Sequence, residues 1–186
     1  DIGAADVAQT MAWSETCALG EMMNFPGVLS CEERPLDEIR ETLRADRVVT
    51  GHYVSADTDR GLNAYVASGV SSCHESGSFD EVLAKLRLGM HAQLRQGSAW
   101  LNLPGYLPRL IESGVDTRLC MLCTDDSHPH TIVGDGHMDR VLRTAVGLGL
   151  DPVTAVQMAT TNTATYFGVG RDMGAVVPGA CADIVL

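Results

Sequence analysis

Along most of this chain, short runs of strand character alternate with stretches whose apolar positions recur every three or four residues. The first pattern suits a buried strand and the second an amphipathic helix. DRVVTGHY (46–53) predicts a strand, and LNAYVASG (62–69) a helix closed by Gly69. VSSCHE (70–75) is the next strand, and SFDEVLAKLRLG (78–89) its helix, with Ser78 at the N-cap and Glu81 completing a capping box. MHAQLRQG (90–97) and LPGYLPRLIESG (103–114) repeat the pair, the helix broken early by its prolines. TRLCMLCTDD (117–126) and HMDRVLRTAVGLG (137–149) repeat it again. Upstream, AADVAQTMA (4–12) reads as a helix and TCALGEMMN (16–24) as a strand. PLDEIRETLRAD (35–46) follows as that strand's helix, with Asp37 and Glu38 near the favourable end of the helix dipole. Five strands that each lead to a helix predict an α/β fold with a parallel sheet, doubly wound or closed as a barrel.

Composition narrows the partners. The chain has 186 residues, 45% of them apolar, enough to bury a core, and a formal charge of −11 that would repel nucleic acid and anionic membranes. A small neutral or cationic molecule fits better. No apolar stretch approaches the roughly 20 residues that span a bilayer, and the N-terminus lacks the pattern of a signal peptide, so the expected setting is soluble and cytoplasmic. Of the six cysteines, only Cys120 and Cys123 have a spacing that suggests a metal knuckle or redox motif. They lie inside an apolar strand, where side chains three apart point to opposite faces, and are expected to be core packing.

Four polar residues fall at equivalent places. Glu21, His52, His74 and Asp125 each sit at the C-terminal end of a different predicted strand. That edge of a parallel α/β sheet is where ligands bind. A lone histidine at a strand end is commonly a hydrogen-bonded structural residue. Two imidazoles and two carboxylates at four such ends instead suit a divalent transition metal.

Six segments together, GEMMNFPGVL, LNAYVASGVSSCHES, CTDDSHPH, GHMDRVLRTAV, DPVTAVQMATTNTATYFG and GAVVPGACADIVL, resemble the bacterial adenine deaminases of the metal-dependent amidohydrolase superfamily. The resemblance implies a (β/α)8 TIM barrel with a binuclear divalent centre of iron or manganese, zinc being possible. On that scheme Glu21 is the strand-four carboxylate bridging two metals, His52 and His74 are the strand-five and strand-six ligands, and Asp125 is the strand-eight aspartate. It further implies attack of hydroxide on C6 of adenine, with Asp125 passing the proton to the leaving amine. Glu75 is then the candidate to protonate a ring nitrogen, or else a partner of the ligands or a cap for the following helix. The implied partner is adenine alone, with no nucleic acid or membrane, in an enzyme that is a homo-oligomer when intact.

One departure stands out. The family's first strand carries a His-x-His pair, and here the single such pattern, His128 and His130, follows Asp125. The chain also starts at Asp1 and stops at Leu186 within an apolar run. The expectation is therefore a fragment covering roughly barrel strands four to eight (1–174) and the start of an accessory β domain (175–186), without useful activity alone. The alternatives are another cyclic-amide hydrolase or an inactive incomplete domain.

Other residues carry less. Asp126 and Ser127 would orient a purine or cap a helix, and His128 and His130 would line the mouth or flank Pro129 in a turn. His91 and His137 read as structural. Met22 and Met23 would pack on a flat base or fill the core.

Overall fold

The computed structural model describes residues 2–185, and the chain divides into two compact units. The first runs to Glu75 and takes in Ala84–His91; the second comprises Ser76–Leu83 and the chain from Ala92 onward.

In the first unit the strands are β1 (Ala18–Met22), β2 (Val48–Gly51) and β3 (Val70–Cys73), paired in parallel in chain order, with the β-branched residues concentrated in β2. The register sets Met22 opposite Gly51 and Gly51 opposite Cys73. Around the sheet lie α1 (Ala4–Met11), α2 (Phe25–Leu29), α3 (Glu33–Arg44) and α4 (Arg60–Ala67). In α3 the buried positions Pro35, Ile39 and Thr42 keep helical spacing, while Arg34, Arg40 and Arg44 pair with acidic neighbours on the outer face. Val49, Leu62 and Tyr65 are fully buried, in a cluster with Met22, Ile39, Val70, Cys73 and Met90. Met22 is thus a core filler, whereas Met23 is exposed.

The helix α5 (Phe79–Arg87) starts at the expected Ser78 cap, with the return bond of Glu81 going to Gly77 one residue earlier. Ser78 Oγ accepts from the Glu81 N–H at 3.3 Å, and the Glu81 carboxylate accepts from the Gly77 N–H at 2.9 Å.

In the second unit β4 (His91–Arg95) pairs in parallel with β5 (Cys120–Cys123), from Ala92 opposite Cys120 to Arg95 opposite Cys123. The helix α6 (Leu103–Ser113) is not broken by its prolines: Pro104 lies in the first turn, where no N–H is needed, and Pro108 sits inside a continuous helix. Its buried face of Leu103, Tyr106, Leu107 and Leu110 outweighs the lost hydrogen bond. Cys120 and Cys123 behave as core residues; burial pushes both thiols up to about 12, and neither joins a metal-ligating cluster among the described residues. The helices α7 (Pro129–Gly134), α8 (Met138–Gly147), α9 (Pro152–Ala159) and α10 (Thr161–Tyr166) follow. Apart from α8 these are too short for periodicity to show; Pro129 opens a helix rather than sitting in a turn. Residues 175–185 carry neither helix nor strand. No helix among them is long and apolar enough to cross a membrane.

Candidate metal centre

The register of the first unit explains how residues distant in sequence meet. With Met22, Gly51 and Cys73 in a row across the sheet, Glu21 falls beside the residues that follow β2 and β3, His52 and His74. Glu21 Oε2 lies 3.0 Å from His52 Nδ1 and 3.1 Å from His74 Nε2, and the two ring nitrogens are 3.1 Å apart. Glu75 Oε1 stands just outside, 3.6 Å from His52 Nδ1 and 3.7 Å from His74 Nε2. The cap reading of Glu75 gives way to Ser78 and Glu81, which occupy that role.

This triangle fits a cation. A neutral imidazole nitrogen is either a donor or an acceptor, and a carboxylate oxygen only accepts. No arrangement of protons serves all three edges: if both nitrogens carry hydrogen they oppose each other, and if one does not it opposes the carboxylate. A divalent ion at roughly 2.0 to 2.2 Å from each donor would satisfy all three, since such ligands sit about 3 to 3.5 Å apart. Two imidazoles and a carboxylate are a donor set suited to transition metals.

Three supporting residues escape a reading of the sequence alone. The Tyr65 hydroxyl, fully buried, accepts from the His52 N–H at 3.1 Å and donates to the Met22 carbonyl at 2.5 Å. It ties the end of β2 to the end of β1, and burial holds its phenol well above the ordinary range. Gly51 makes room for this: a Cβ there would meet Val70 Cγ1 at 2.5 Å, the Ser72 carbonyl at 2.7 Å and Tyr65 Oη at 2.8 Å. Lys85, 1% exposed, donates from its ammonium to the Glu75 carbonyl, steadying the segment that carries His74. The one available signal was a lysine three residues after fully buried Val82, on the apolar stripe of its helix.

Asp125 belongs to the second unit, in the loop after β5, with a left-handed φ of 60°. Its Oδ2 accepts from Arg95 Nη1 at 2.5 Å and its Oδ1 from the Asp126 N–H at 2.6 Å. Arg95, 5% exposed, is the third supporting residue, and an arginine ending an apolar strand was its signal. The Asp126 carbonyl accepts from the Ser98 N–H at 2.8 Å, and Ser127 Oγ donates to the Asp125 carbonyl at 3.5 Å. His128 precedes α7 and its N–H donates to Ser98 Oγ at 2.8 Å, while His130 lies within α7. His137 precedes α8, its Nε2 3.5 Å from Thr124 Oγ1; His91, half-buried on β4, has its imidazole pKa lowered by desolvation.

The sequence profile of the Amidohydrolase family matches residues 105–186. A protein named Adenine deaminase from Clostridium botulinum (strain 657 / Type Ba4) is 48% identical over 185 residues, covering 100% of this chain and 31% of its own length. Adenine deaminase 3 from Rhizobium meliloti is 46% identical over 185 residues, with the same coverage of each. The chain is thus similar along its whole length to proteins named adenine deaminase, and over residues 105–186 to the Amidohydrolase family. The chain spans about a third of the length of the curated relatives it matches. In fold it resembles an uncharacterised protein of known crystal structure, at a TM-score of 0.64 and 17% identity, over 97% of this chain and 52% of that one. Within each unit, parallel strands flanked by helices give the α/β pattern that this likeness supports.

Proposed function

We propose that the chain is part of a metal-dependent adenine deaminase, which hydrolyses adenine to hypoxanthine and ammonia. The observation that carries the reading is the Glu21–His52–His74 triangle, in a chain 48% identical along its length to a protein named Adenine deaminase. Glu21, His52, His74 and Asp125 are the proposed ligands of a binuclear divalent centre, iron or manganese. When bound, the metal lowers the pKa of water so that hydroxide is available near neutral pH.

The chain's residues then move protons. A C6–O bond forms, the C6–N bond to the amino group breaks, and water is consumed. Asp125 accepts the proton that the water loses and delivers it to the departing amine. Glu75, beside the ligands but outside their triangle, protonates a purine ring nitrogen as C6 becomes tetrahedral. Asp126 and Ser127 orient the base. The proposed setting is cytoplasmic purine salvage, in a homo-oligomer, with an accessory β domain beginning near residue 175.

The test uses the longest natural polypeptide containing this chain, loaded with manganese or ferrous iron, and measures ammonia release from adenine. Glu21→Gln should lower retained metal, and Asp125→Asn should abolish turnover with adenine still bound. Hydrolysis of a cyclic amide with adenine untouched would replace this reading by the other amidohydrolase reading. Residues 1–186 alone should show no useful turnover; full activity there would overturn the assignment of this chain as one part of a larger site.

A further inference from the structure

Asp125 is held in a way that its chemistry alone does not require. Its backbone is left-handed, with φ at 60°, a conformation that side chains other than glycine adopt at a cost and that persists where neighbours over-determine it. Both carboxylate oxygens are engaged, Oδ2 by Arg95 Nη1 at 2.5 Å and Oδ1 by the Asp126 N–H at 2.6 Å. The arginine is itself fixed from four sides. Its Nε donates to Asn102 Oδ1 at 2.8 Å, and its guanidinium carbon stands 5.4 Å from the Trp100 ring centre, a cation–π contact. Its backbone N–H donates to the buried Tyr106 hydroxyl at 3.1 Å, and β4 holds it opposite Cys123, two residues before Asp125. An arginine this buried, with Nη1 on the Asp125 carboxylate and Nε on Asn102, fixes direction as well as charge.

We infer that Arg95 is a positioning residue that sets the rotamer of Asp125, with Asn102 and Trp100 holding the guanidinium in place. The inference rests on the proposed role of Asp125 as the proton-carrying aspartate. Its chemical consequence is narrow: the aspartate loses its aim without Arg95. A displacement of about 1 Å at a reacting group costs on the order of 100-fold in rate.

The experiment compares Arg95→Ala and Arg95→Lys with the parent in the longest natural polypeptide containing the chain. Arg95→Ala should lower kcat for adenine on the order of 100-fold with KM within about threefold. Guanidinium ion added to that variant should restore part of the rate and leave the parent unaffected. Arg95→Lys, which keeps the charge but not the fork, should fall between the two. Crystal structures of the parent and Arg95→Ala supply a readout independent of turnover: the Asp125 carboxylate should leave its rotamer in the variant. A parent inactive on adenine sinks the proposed function and leaves this structural comparison decisive for Arg95. An unmoved Asp125 carboxylate, or a loss confined to KM without guanidinium rescue, overturns the positioning role.

Discussion

Tyr65→Phe removes a single oxygen from the first unit and should destabilise it by about 2 to 4 kcal/mol. The hydroxyl makes two hydrogen bonds, to the His52 N–H at 3.1 Å and the Met22 carbonyl at 2.5 Å. Phenylalanine keeps the ring, and with it the contact to Tyr53 at 5.2 Å between centroids, so packing is nearly unchanged. What remains is a buried Met22 carbonyl and a part-buried His52 N–H without that partner, together costing about 2 to 4 kcal/mol. Tyr53→Phe is the matched control, because its hydroxyl donates to the Asp57 carbonyl at 2.6 Å and joins no two strand ends, so its loss should cost about 1 kcal/mol. Urea unfolding of the full polypeptide, with an unchanged dependence on denaturant, measures both. Tyr65→Phe should also weaken metal retention, since the released backbone groups belong to His52 and to the neighbour of Glu21. A Tyr65→Phe protein within about 0.5 kcal/mol of the parent, or no less stable than Tyr53→Phe, would refute the argument that this hydroxyl joins the two strand ends.

Gly51→Ala should cost about 1 to 3 kcal/mol by overpacking, because the new methyl meets the Ser72 backbone carbonyl at 2.7 Å and backbone cannot swing aside. Unfolding and metal titration of that variant check it, and a neutral result on both would show that β2 and β3 can part without consequence. Alkaline pH should also destabilise the fold. Burial raises the Cys120 and Cys123 thiols from 9.0 to about 12, so the folded chain holds them neutral while the unfolded chain ionises them. Their contribution is complete below about pH 9 and is lost as pH rises toward 12; denaturation at pH 7, 9 and 10.5 should show the fall. Cys123→Ala should flatten that slope, and an unchanged slope would mean that other groups cause it.

The strands and the longer helices follow from the sequence because their signal is local. β-branched runs and helical spacing arise within a dozen residues, and the cap at Ser78 is written in four. The candidate ligands were legible for the same reason, since each ends a recognisable strand. α2, α7, α9 and α10 were not, being short segments whose apolar faces are defined only by what they pack against. α6 ran through Pro108 because burial of its apolar face exceeds the local penalty that the proline imposes. Tyr65, Lys85 and Arg95 belong to the tertiary structure entirely. Their partners lie 13 and 43 residues away for Tyr65, 10 for Lys85 and 30 for the Arg95–Asp125 pair. Sequence pattern says which face of an element is apolar; only the register across strands and the packing of helices decides which polar group a buried tyrosine, lysine or arginine will meet.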